Sequence, residues 1–264
     1  TFSESIDNSS VTANTSNTTC SESMQLSSNN FSSCIQMSST PSASNTNKTF
    51  SVTPSDNLSS ETSYKIRVTT LVKDVVGNSM SNSYTTSNGF TSADVTAPIL
   101  SQVTAITTPT NDNTSSYTFS STEAGTITYG GSCSSDNTSA TTDNNTVTFN
   151  ALADGTYDNC TITVTDSASN ASSTLDVNTF VVDTTAPILS QVTAITTPTN
   201  DNTSSYTFSS TEAGTITYGG SCSSDNTSAT TDNNTVTFNA LADGTYDNCT
   251  ITVTDSASNA SSTL

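Results

Sequence analysis

The side chains of this chain that can bind, bridge or react are carboxylates and thiols. There is no His and no Trp, and 23 Asp and Glu stand against four basic residues, Lys48, Lys65, Arg67 and Lys73. No residue beyond Lys73 can therefore neutralise a carboxylate. Six cysteines fall into three pairs, Cys20/Cys34, Cys133/Cys160 and Cys222/Cys249, with no Cys-x-x-Cys spacing and no imidazole to complete a zinc site. They read as disulfides, which places the chain in an oxidising, extracellular or cell-surface setting. On the chain-entropy model, closing the 27-residue separation stabilises a domain by about 3–4 kcal/mol.

The same inventory argues against catalysis. The chain lacks a Gly-x-Ser-x-Gly elbow and a phosphate-cradling glycine loop, and paired carboxylates need a cleft to shift their pKa values before they do acid–base work. A net charge of −19 makes nucleic acid and anionic membranes poor partners and cations good ones. No apolar run is long enough for a transmembrane helix, so any membrane anchor is expected outside these residues.

Positioning of these groups follows from a repeat. Thr96–Leu175 recurs without substitution as Thr185–Leu264, a register of 89 residues. Self-similarity at that period indicates units strung end to end. With 31% hydrophobic residues over 264, three thin-cored domains are expected: 1–94, 95–183 and 184–264. Apolar residues alternate with Ser, Thr and Asn and show no helical period, so the fold class is all-β. In the repeat, strands are expected at 99–106, 116–121, 126–129, 146–150, 157–164 and 174–182, with a short one near 139–142. Tyr117, Phe119, Phe149 and Tyr157 lie on the inward period and read as core, not as a sugar-stacking platform. In the first domain, strands are expected at Cys20–Leu26 and Cys34–Met37 around a Ser27–Asn30 turn, then at Ser63–Val68 and near Tyr84, with a turn over Asp74–Asn78. Asp94-Val-Thr-Ala-Pro98 and Asp183-Thr-Thr-Ala-Pro187 are short, stiff joints between domains, because proline fixes φ and holds the preceding residue extended.

Six or seven strands at this spacing, with Asp-Gly, Asn-Asp and Gly-Gly turns, suit tandem Ig-like Greek-key β-sandwiches. In that topology the third and sixth strands are antiparallel neighbours. Cys133, in step with Ile127 and Tyr129, and Cys160, in step with Ile162 and Val164, then point inward at one end of the sandwich. The entering joint, the second-to-third turn and the sixth-to-seventh turn share one pole. Asp183, Glu212 and Asp255 converge there in the second repeat, and Asp94, Glu123 and Asp166 are their counterparts in the first. Asp112 and Asp154 lie in turns at the opposite pole of the preceding repeat. Carboxylates gathered without Lys or Arg repel unless a hard cation sits among them, and calcium takes oxygen ligands in flexible numbers. The expected cofactor is an interdomain calcium; the competing reading is that Asp sits in turns for conformational reasons alone.

Thr1–Val11, Phe50-Ser-Val-Thr-Pro54, the Tyr64 strand and the Asp74…Gly77-Asn78 turn resemble the bacterial Ig-like domain of S-layer and other surface proteins. That family's first strand would precede Thr1. The repeat, through its Asp-Thr-Thr-Ala-Pro joint, Thr122-Glu-Ala-Gly125 and Thr165-Asp-Ser-Ala-Ser-Asn170, resembles the bacterial Ig-like repeats of large adhesins and biofilm proteins, with Ser169 where the family usually has Gly. The resemblance implies calcium at the joints and neighbouring copies of the repeat as partners. The leading functional reading is a spacer or stalk of a cell-surface adhesin or fibre. Two others stay open: a filament subunit joined to further copies by strand exchange, since the last repeat stops before its seventh strand, and a carbohydrate- or protein-binding surface module.

Overall fold

The computed structural model describes residues 1–264 and divides them into two compact units, Thr1–Thr96 and Ala97–Leu264. Alternation of small polar and single apolar residues yields strands almost throughout; the one helical element is a 3-10 turn at Asn8–Ser10, capped by the Asp7 carboxylate accepting from the Ser9 amide.

Unit 1 holds β1 (Met24–Ser27), β2 (Ser42–Ser44), β3 (Thr49–Ser51), β4 (Ser63–Val68), β5 (Tyr84–Thr85) and β6 (Phe90–Thr91). β4 is central, pairing antiparallel with β1, β5 and β6, while β2 and β3 form a separate hairpin. Leu26, Met37 and Tyr64 anchor one core cluster, and Ile6, Val11 and Val72 another. The expected strand over Cys34–Met37 does not form. Its amides are spread over separate partners, Cys34 donating to the Thr18 carbonyl, Ile35 to Leu26 and Met37 to Asn14, and only an isolated bridge joins Met37 to Pro54, so no continuous ladder builds up. Cys20 likewise precedes β1, so its disulfide to Cys34 joins two loops. The Asp74–Asn78 turn is as expected, with the Asp74 carboxylate accepting from the amides of Val76 and Asn78 and from Asn78 Nδ2.

Unit 2 contains both repeats. The first has β7 (Leu100–Thr104), β8 (Ser116–Ser121), β9 (Gly125–Gly130), β10 (Ser139–Ala140), β11 (Asp143–Thr148), β12 (Gly155–Tyr157), β13 (Thr161–Thr165), β14 (Leu175–Asp176) and β15 (Phe180–Val182). Its sheets run β11-β8-β7 and β10-β9-β13-β14, with β12 paired to β15. Residues of both sheets (Tyr117, Phe119, Val147 from one; Ile127, Ile162, Val164 from the other) bury a common core, the Ig-like sandwich. The second repeat has β16 (Leu189–Thr193), β17 (Ser205–Ser210), β18 (Gly214–Gly219), β19 (Ser228–Ala229), β20 (Asp232–Thr237) and β21 (Thr250–Thr254), in sheets β16-β17-β20 and β19-β18-β21 around Phe208, Ile216, Val236 and Val253.

Two expected strands are each broken in two. Residues 157–164 divide into the end of β12 and β13, and 174–182 into β14 and β15, so both segments change sheet along their length. The first break falls at Asp158–Cys160, where Cys160 turns in to its disulfide; the second falls at Val177–Thr179, where Asn178 exchanges hydrogen bonds with Ile106. Such corners are how a small sandwich closes without a flat sheet. The inferred third-to-sixth pairing holds: β9 and β13 are antiparallel, with Ile127 opposite Val164, and Cys133 and Cys160 are bonded. Gly125, at the head of β9, is required by close approach, because a Cβ there would lie 2.3 Å from the Thr165 carbonyl oxygen.

Candidate metal centre

Asp183, Glu212 and Asp255 come from three different elements. Asp183 follows β15 directly, and its amide donates to the Thr110 carbonyl at 2.9 Å, which fixes where the joint leaves the first repeat. Glu212 sits in the β17–β18 turn, where Ser210 Oγ donates to its carbonyl. Asp255 follows β21 directly, and Asn259 holds its carboxylate through the backbone amide at 2.8 Å and Nδ2 at 2.9 Å. Nδ2 of Asn259 also reaches the Asp183 carbonyl at 2.7 Å, tying this turn to the joint.

Carboxylate oxygens of these three residues lie within 4.8 Å of one another. Asp255 is buried and the other two are half-buried. Burial raises the pKa of Glu212, and the negative charges of Asp183, Asp255 and Asp154 push it further up. No basic residue follows Lys73, so the repeats hold no positive side chain to offset that repulsion. Three oxygen donors in one place form a donor set suited to a hard cation, whereas zinc or copper would call for nitrogen or sulfur.

The other expected ligands are placed differently. Glu123 and Asp166 have carboxylate oxygens within 4.8 Å of one another in the first repeat. Burial acts to raise the Asp166 pKa, but hydrogen bonds from the Asn170 side chain and the amides of Asn170, Ala168 and Ser169 outweigh it and leave it lowered. Asp94 lies in unit 1, accepting from Ser60 Oγ and the Thr96 amide. The Asp112 carboxylate caps its own turn, taking the amide and hydroxyl of Thr114. Asp154 is spent on the joint. Its Oδ1 accepts from the Thr184 amide and hydroxyl at 2.9 and 2.7 Å, and Oδ2 from the Thr185 hydroxyl at 2.7 Å, bonds that lower its pKa, Thr185 foremost.

Sequence reading missed that clamp, although one sign was present. The motifs Asp94-Val95-Thr96 and Asp183-Thr184-Thr185 differ at their middle residue, and the difference is the threonine whose hydroxyl Asp154 takes. Asn111, whose turn the sequence places at this joint, donates through Nδ2 to the Ser258 carbonyl across it at 3.3 Å. The cysteines form the three expected disulfides, each with Cα atoms 5.2 Å apart, and none is free.

Residues 1–92 match the model of a family described as the bacterial Ig-like domain. Among solved structures, the S-layer protein rSbsC is similar at 11% identity and a TM-score of 0.25, over 98% of this chain and 51% of that one. A Bacteroides ovatus structure, the mixed-linkage glucan utilization locus SGBP-B in complex with a mixed-linkage heptasaccharide, is similar at 16% identity and a TM-score of 0.21, over 90% and 56%. The chain thus spans about half the length of either. A search of curated proteins found no match. The match to the bacterial Ig-like domain over residues 1–92, the sandwich repeats that follow and the three disulfides describe an extracellular structural or binding module.

Proposed function

We propose that the chain is a spacer in a bacterial cell-surface adhesin or fibre, with each repeat, 95–183 and 184–264, one interchangeable unit of length. The observation that carries this reading is the pairing of sequence-identical copies with a dedicated joint. Asp154, Asn111 and Asn259 spend their polar atoms on holding repeat to repeat, and no residue distinguishes one copy as a binding site. Identity between neighbours suits length and does not suit a division of binding tasks. To test it, one copy is deleted from or added to the whole parent protein. Its reach, measured by electron microscopy, should change by one repeat while its binding partners stay the same. Saturable binding of a glycan or protein by the 264-residue chain alone would overturn the reading.

Calcium at Asp183, Glu212 and Asp255 belongs to the same proposal. The donor set fits the ion, whose two positive charges would offset a repulsion that no basic side chain of the repeats relieves. The expected result is calcium binding by calorimetry and a melting temperature that rises with calcium. Glu212→Gln tests the sign. Because the folded state prefers neutral Glu212, the variant should be more stable than the parent at pH 7 without divalent cations. That gain should fade as pH falls through the raised folded pKa toward about 4.3, the ordinary glutamate value. The variant should also lose the calcium response, and a parent that neither binds calcium nor melts higher with it sinks this part.

A further inference from the structure

Unit 1 carries one cation that the fold orients. Arg67 is the only arginine of the chain and lies on β4, the central strand of its sheet. Tyr64 is buried and Ile66 packs against the same core cluster, so Arg67, between the inward Ile66 and Val68, projects from the opposite face. Its neighbours across the ladder on that face are Gln25 of β1 and Thr85 of β5.

The guanidinium is fixed from two sides. Its Nε donates to Gln25 Oε1 at 2.7 Å, and its Cζ lies 4.1 Å from the centroid of the Phe31 ring. Each support is itself held. Gln25 is buried, and its Nε2 donates to the carbonyls of Cys20 and Glu22 at 2.9 and 2.7 Å, which turns Oε1 toward Arg67. Phe31 has a φ of +64°, a conformation bulky residues rarely adopt, and its amide donates to the buried Ser27 Oγ at 3.0 Å. Both supports lie within the segment that the Cys20–Cys34 disulfide closes. These contacts spend Nε and one face of the guanidinium. The N–H groups on Nη1 and Nη2 make no hydrogen bond within the chain, and no carboxylate pairs with them, although the chain has 23 Asp and Glu.

We infer that Arg67 is a recognition site for the carboxylate group of a small organic acid. The outer edge of a guanidinium presents parallel N–H donors that match the two oxygens of a carboxylate, and a guanidinium already immobilised loses little freedom on binding. Strain at Phe31 and a buried glutamine aimed at Nε are the features of a positioned group, not of a solvated surface cation. Phosphate and sulfate also accept such a fork, but they bring a second negative charge into the field of a chain with net charge −19, which favours the monoanion. Gln25 and Phe31 are positioning residues here. A free organic acid is neither a glycan nor a protein, so its binding leaves the spacer reading standing, and either fails without the other.

The test titrates the isotopically labelled 264-residue chain with sodium acetate against sodium chloride at constant ionic strength. Because there is one arginine, its Nε–H gives a single resonance that reports this site alone. Acetate should shift that resonance and the amides of Gln25, Phe31 and Thr85 along one saturating curve, and chloride should not. Arg67→Lys, which keeps the charge and loses the fork, should bind acetate at least about fivefold more weakly when followed at those amides. Phe31→Leu, read at the arginine resonance, should bind about two- to fivefold more weakly, the value of one cation–π contact. Absence of a saturating shift, undiminished binding by Arg67→Lys, or sulfate binding as tightly as acetate would each overturn the inference. Unchanged affinity in Phe31→Leu would overturn the role given to the ring. The comparisons with chloride and sulfate use the unaltered chain, so they decide the matter whether or not a variant folds.

Discussion

Ser169 holds a conformation its side chain does not favour. Its φ is +74°, and Ser258 in the second repeat has +76°, in the left-handed region where Cβ crowds the backbone; Gly77 occupies the matching place in the unit 1 turn at +98°. The turn survives because Asp166 and Asp255 bind it from within, each through the asparagine four residues on. Ser169→Gly and Ser258→Gly should therefore each stabilise their repeat by about 0.5–1 kcal/mol, less the entropy glycine adds to the unfolded chain. Chemical denaturation checks this; a loss of stability in both would mean that the serine hydroxyls hold the turns. This strain was legible in part, as a serine in a position where glycine was expected. The partners of Asp154 were not, because they are set by how one repeat meets the next, which periodicity within a repeat does not encode.

Strands whose pattern depends on burial were readable, and strands whose existence depends on a partner were not. β8 alternates inward Tyr117, Phe119 and Ser121 with outward residues and was located to the residue. Of β12 only Tyr157 fell inside the strand expected at 157–164, because Gly155–Tyr157 becomes a strand through its pairing with Val182, Val181 and Phe180 of β15. Local sequence cannot report that dependence. The disulfide is the element-level device legible in full, since even spacing along β9 and β13 put both thiols inward at one end. Replacing Cys133 and Cys160 with alanine should cost the first repeat about 3–4 kcal/mol on the chain-entropy model, a large share of what a core this thin provides. Calorimetry should resolve a transition for the altered repeat well below that of its intact copy. Coincident transitions would show that the bridge adds little.

At the scale of the molecule, the joint between the repeats decides how unit 2 behaves as one body. Asp154 braces it, taking three hydrogen bonds from Thr184 and Thr185. These bonds depress the Asp154 pKa, so the clamp should be fully present above the ordinary aspartate value of about 3.9 and be lost as pH falls through the lower folded value. Hydrogen exchange at the Thr184 amide, corrected for its intrinsic rate, should show protection at neutral pH that persists below about pH 4. Asp154→Ala should remove that protection at every pH while leaving amides of β8 and β17 unchanged. Unaltered protection would mean that the proline joint suffices without the carboxylate.

The Cys133–Cys160 bond also has a mechanical meaning. A repeat pulled from its ends can pay out only the chain outside the cross-link, since the bridge withholds the 27-residue span between the two sulfurs. At about 3.3–3.6 Å per extended residue, each repeat keeps back on the order of 90 Å of contour length until the bond is reduced. A tether built from such units would lengthen under load in short, recoverable steps, and a reducing environment would convert the same tether into a longer and softer one.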